Sequence, residues 1–79
     1  MKYRVIDMYE DVYGELIYES DDLLQALIAA ENHCIDTDDE CKLIIKTYDG
    51  INIMFGDRYY DFTGAIDLLH GLYRAGILN

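Results

Sequence analysis

Two histidines, two cysteines and a single serine are the side chains here whose types suit nucleophilic or metal chemistry, and sixteen carboxylates surround them. Their spacing assembles neither. Ser20 precedes an apolar-periodic run and reads as a helix N-cap. His33 and Cys34 are neighbours on that helix, so their side chains diverge by about 100° instead of pairing. His33, Cys34, Cys41 and His70 match no familiar zinc-ligand spacing. A cysteine at a helix end is more often a small buried hydrophobe, and His70 reads as a polar-face residue of a second helix. The run "DTDDE", residues 36–40, invites a calcium loop, which needs glycine at its sixth position and glutamate at its twelfth. Those places hold Cys41 and Thr47. No cofactor, metal or enzymatic activity is expected.

The carboxylates remain, and their distribution is lopsided. Residues 1–40 hold twelve acids against Lys2 and Arg4, whereas residues 41–79 hold four acids against four bases. The whole formal charge of −10 therefore sits in one half. Such a field repels nucleic acid and anionic membrane and attracts basic partners. Glu10, Asp11, Glu15 and Glu19 on one segment, and Asp36, Asp38, Asp39 and Glu40 on another, are the candidate partner-binding residues. Asp21 and Asp22 have a structural role at a helix N-terminus. The 36–40 cluster lies beyond the C-terminus of the same helix, where an anion costs about 0.3–1 kcal/mol. A solvated acidic face that keeps a small protein soluble is the plain alternative.

The elements that must position these groups follow from periodicity. Residues 2–9, "KYRVIDMY", are β-rich, "EDVYG" is a turn or bulged connection, and "GELIYES" alternates as a half-buried strand with Glu15, Ile17 and Glu19 on one face. Apolar residues at helical spacing from Leu23 to Ile35 predict the first helix. Two β-rich runs within "CKLIIKTYDGINIMF" flank Asp49-Gly50, which suits a two-residue type I′ turn. A further short strand is expected at "DRYYDF", then a helix capped by Thr63 and running to about Arg74, with Gly76 as its C′ residue. The expected fold is α+β: one compact domain over 1–79, ordered ββα-ββ(β)-α, with two helices on one face of an antiparallel sheet of four or five strands. Ala26, Ala29 and Ala30 on one helix and Gly64, Gly71 and Ala75 on the other suggest close helix–helix packing within the monomer, with a homodimer contact as the alternative. Cys34 and Cys41 are expected as free thiols, one ending a helix and one beginning a strand, a placement that could bring them together.

Eight tyrosines, several beside acids ("YED", "YES", "YDG", "RYYD"), suit strand edges and also suit gripping Arg-rich surfaces. In size, acidity and tyrosine content the chain resembles phage- and plasmid-encoded inhibitors of bacterial defence, the anti-CRISPR and anti-restriction proteins, several of which mimic DNA. The resemblance is one of composition over the whole chain and carries no motif. It implies a cytoplasmic inhibitor in the bacterial host cell that occupies the nucleic-acid-binding site of a basic protein, such as a CRISPR effector subunit or a restriction enzyme. Alternate strand carboxylates about 6.6 Å apart would match the scale of neighbouring phosphates. The rival reading is a regulatory or assembly adaptor that binds its partner through a sheet edge or helix pair. Neither reading has the chain binding nucleic acid or membrane directly.

Overall fold

The computed structural model describes residues 2–77. Among them run β1 (Tyr3–Asp7), β2 (Glu15–Ser20), α1 (Leu23–Asp36), β3 (Leu43–Thr47), β4 (Asn52–Gly56) and α2 (Tyr59–Arg74). The strands form one antiparallel sheet in the order β2-β1-β3-β4, so the first strand of each hairpin is central and the second is an edge. Val5, Leu43, Ile45 and Thr47 turn one sheet face to the helices and are buried. They meet Ala26, Leu27, Ala30 and Cys34 of α1 and Phe62, Ile66 and Leu69 of α2. This is the expected α+β arrangement, with four strands.

The opposite sheet face has no helix over it among the described residues. Leu16, Ile6, Ile44 and Phe55 stand opposite one another across all four strands. A parallel row of Glu19, Arg4, Lys46 and Asn52 follows.

Local chemistry moves three boundaries. Asp22, not Ser20, caps α1 by accepting the Leu24 amide at 2.9 Å, while Ser20 Oγ accepts the Asp22 amide at 3.0 Å. Asp21 and Asp22 therefore precede the first turn. The strand expected at 57–62 is instead the start of α2. Phe62, Ile66 and Leu69 keep helical spacing toward the core, and the Tyr59 amide already has a cap, the Asp39 carboxylate at 2.8 Å. Thr63 thus lies inside α2, where its hydroxyl donates to Glu31 on α1 at 2.6 Å.

Asp49-Gly50 does sit at the β3–β4 tip, but not in a two-residue turn. A type I′ turn needs positive φ at both residues, and only Gly50 has it, at +86°. The Gly50 amide bonds the Thr47 carbonyl at 3.0 Å and the Thr47 amide bonds the Ile51 carbonyl at 2.9 Å. That is a three-residue loop closed by a left-handed glycine. Buried Thr47 completes it, its hydroxyl accepting the Ile51 amide at 3.1 Å.

Candidate functional site

The β1–β2 connection is built by its own aspartates. Asp7 Oδ1 accepts the Tyr9 amide and Asp11 Oδ1 accepts the Tyr13 amide, each at 2.9 Å. Gly14 closes the turn on Asp11 with φ +82°, and an added Cβ would lie 2.4 Å from Ile6 Cγ2. The loop is thereby folded against the C-terminal end of α1. A cavity of about 320 Å³ opens between them, lined by Asp7, Tyr9, Glu10, Asp11, Glu15, His33, Thr37 and Glu40. Five of the eight are carboxylates and none is Lys or Arg.

A β-bulge is what brings Glu15 there. Between β1 and β2 the register shifts, so that Glu19 stands opposite Arg4 while Glu15 stands opposite Asp7, with Ile17 as the extra residue. Arg4 and Asp7 are three residues apart on β1 and occupy opposite faces. Glu15 and Glu19 are consequently on opposite faces too, which corrects the single carboxylate face expected from alternation. The phosphate-like ladder along this strand does not exist. Glu19 lies on the open sheet face, accepts the Tyr48 hydroxyl and neighbours Arg4, whose guanidinium is 4.9 Å from the Tyr48 ring centre.

Of the 36–40 cluster, only Glu40 lines the cleft. Asp36 and Asp38 are exposed at the end of α1, and Asp39 is occupied by the α2 cap. The cluster ends α1 in a Schellman motif: the Asp39 amide bonds the Cys34 carbonyl at 2.7 Å and the Asp38 amide bonds the Ile35 carbonyl at 3.2 Å. Asp38 and Asp39 both take left-handed backbone, φ +54° and +62°. The sequence reading missed this, since a glycine is the usual signal for such an end and none is present.

Asp7 and His33 also line the cleft; the sequence reading assigned no role to Asp7 and weighed His33 only beside Cys34 and as a zinc ligand. His33 Nε2 lies 2.8 Å from Asp7 Oδ2, and the Lys42 amide reaches Oδ1 at 3.2 Å. Burial pushes the Asp7 carboxyl up, but the His33 hydrogen bond, the Tyr9 and Lys42 amides and the His33 charge outweigh it. The net effect holds Asp7 below the usual carboxylate range. Asp7 is therefore the ionised acceptor and His33 the donor. A signal did exist: the i,i+2 pattern of Asp7 before a loop, which marks a side chain bonding its own backbone.

Cys34 and Cys41 do come together, their sulfurs 2.6 Å apart and both buried as free thiols. Burial pushes both thiols up from their ordinary value, with the Asp7 and Asp39 charges adding to it. Protonated, buried thiols are poor nucleophiles. Among the described residues, no three His, Cys, Asp or Glu side chains converge as metal ligands. No helix among the described residues is long and apolar enough to cross a membrane. No protein-family model, curated protein or solved structure matches this chain.

Proposed function

We propose that this chain is a non-enzymatic, protein-binding inhibitor that seats basic side chains of a nucleic-acid-binding protein in its acidic cleft. The observation that supports it is the convergence of Asp7, Glu10, Asp11 and Glu15 from the β1–β2 segment and Glu40 from beyond α1 on one cavity with no lining Lys or Arg. The fold brings like charges together there although mutual repulsion works against it, and a guanidinium or ammonium from outside would relieve that repulsion. His33 does not fill this role, because its Nε2 bonds Asp7 and its ring bonds none of the other four carboxylates. Exposed Tyr9, which lines the cleft, offers aromatic surface for an arginine. The mimicry of nucleic acid is thus one of charge gathered in a cleft, not of phosphate spacing along a strand.

The test begins with capture of the partner from a bacterial lysate and its identification by mass spectrometry. Binding of the purified pair is then measured against salt and against competing DNA or RNA. Affinity should fall steeply between 50 and 200 mM salt, by about tenfold or more where several ion pairs form, and nucleic acid should compete. The variant E10Q/D11N/E15Q/E40Q should lose most of the affinity. Salt-insensitive binding that this variant retains would refute the reading.

A further inference from the structure

We infer that Cys34 and Cys41 are a redox-modification site, a dithiol that a small-molecule disulfide oxidises to an intramolecular disulfide clamping the end of α1 to the start of β3. The inference rests on neither the acidic cleft nor its partner. The two sulfurs are in contact, 2.6 Å apart, from residues seven apart in sequence. Each is held by a different element. Cys34 continues the core face of α1 one turn after Ala30. Cys41 is fixed through Lys42, whose amide bonds Asp7 Oδ1 at 3.2 Å and whose carbonyl accepts the Met8 amide at 2.7 Å. The turn between them is closed by its own backbone, the Asp39 amide on the Cys34 carbonyl at 2.7 Å and the Glu40 amide on the Thr37 carbonyl at 3.0 Å. Sulfurs held in contact in this way become bonded by small side-chain rotations, without displacement of either element. A shared metal does not account for the pairing, because no third His, Cys, Asp or Glu joins the two thiols among the described residues.

Burial pushes both thiols up, and the hydrogen bond between them adds to the rise at Cys34 while working against it at Cys41. Cys34 is thus the donor and Cys41 the sulfur that ionises first. Both are buried, so attack waits for the exposed 36–40 turn to open, which makes the reaction slow without changing its equilibrium. The Cys41 thiolate attacks one sulfur of the small disulfide and expels a small thiolate. The Cys34 sulfur then attacks Cys41 Sγ of the mixed disulfide and expels the second. Two electrons pass from the cysteines to the small disulfide, whose S–S bond breaks as the protein's forms, and the two thiol protons end on the released thiols. The closed loop contains Asp38 and Asp39, both in left-handed backbone, and the Asp39 carboxylate that caps α2. Oxidation therefore fixes the junction between the two helices.

The experiment equilibrates the full chain in mixtures of reduced and oxidised glutathione, starting from the reduced and from the oxidised protein, with and without denaturing urea. Remaining thiols are trapped with iodoacetamide and counted by intact mass. The native chain should lose two hydrogen atoms and take no label. Its disulfide should form with a constant about 30-fold or more above that in urea, since a bond that stabilises the fold is favoured by the fold to the same extent. The oxidised chain should melt about 5 °C or more above the reduced one. Cys34→Ala and Cys41→Ala should each stop at a glutathione adduct or a free thiol, and each should melt alike in oxidising and reducing buffer. A formation constant no higher in the native chain than in urea overturns the inference. So does a product cross-linked between chains, or an oxidised chain that melts at or below the reduced one.

Discussion

Asp38 holds the C′ position of a Schellman motif, at φ +54°, where an L-residue is strained and glycine is favoured. It also adds a carboxylate at the negative end of α1. Both effects are removed by Asp38→Gly, which should stabilise the fold by about 1 kcal/mol in chemical denaturation, given a left-handed cost of about 1–2 kcal/mol for L-residues. An unchanged or lowered midpoint would mean that the loop draws support from the Asp38 side chain. Asp7 makes the opposite kind of prediction. Its carboxyl is held below the ordinary value of 3.8 in the folded chain. Its contribution is therefore complete above about pH 3.8 and lost as pH falls through the lower, folded value. Asp7→Asn should lower stability at pH 7 and flatten the decline below pH 3.8, as measured by denaturant unfolding between pH 2 and 7. An equally steep decline in the variant would assign that acid limb to other carboxylates.

The two helices end and begin on one aspartate. Asp39 closes α1 through its amide and caps α2 through its carboxylate, so the α1–β3 turn and the β4–α2 junction are fixed together. Asp39→Ala should cost about 1 kcal/mol, the usual worth of an N-cap, while Asp39→Asn should cost far less because the amide oxygen still accepts. Thermal melts of both variants decide it; equal losses would show that the charge matters and the cap does not. This junction also explains what was legible in the sequence. The hairpins, α1 and the C-terminal Gly76 stop were readable because their signals are local: alternation, apolar periodicity and a glycine at φ +74°. The start of α2 was not, because its cap comes from twenty residues away. Glu15 and Glu19 were assigned one face for a related reason, since a bulge is defined by the partner strand and leaves no mark in alternation. Half of the cleft was legible as acid content, in Glu10, Asp11, Glu15 and Glu40. Its position was not, because it depends on that bulge and on Asp7 meeting His33 across 26 residues.

For the molecule as a whole, the fold separates charge. The carboxylates of the β1–β2 loop and Glu40 gather around the cleft, whereas Arg4 and Lys46 share a row on the open sheet face, with Lys2 beside them over Tyr48. Within the cleft no Lys or Arg lines the cavity, and His33 hydrogen-bonds only Asp7 of its five carboxylates. Self-repulsion of this kind weakens the compact state, and salt relieves it by shortening the Debye length from about 30 Å at 0.01 M to about 8 Å at 0.15 M. The melting temperature should therefore rise with sodium chloride across that range. Replacing Glu10, Asp11, Glu15 and Glu40 by their amides should raise the melting temperature at low salt and flatten its salt dependence. Glu19→Gln should do neither, because Glu19 faces Arg4 and accepts the Tyr48 hydroxyl on the other side of the sheet. A melting temperature that falls with salt would mean that the carboxylates are already paired within the chain. An acidic cleft whose charges were satisfied internally would have no attraction left for a basic partner, so this measurement bears on the proposed function before any partner is known.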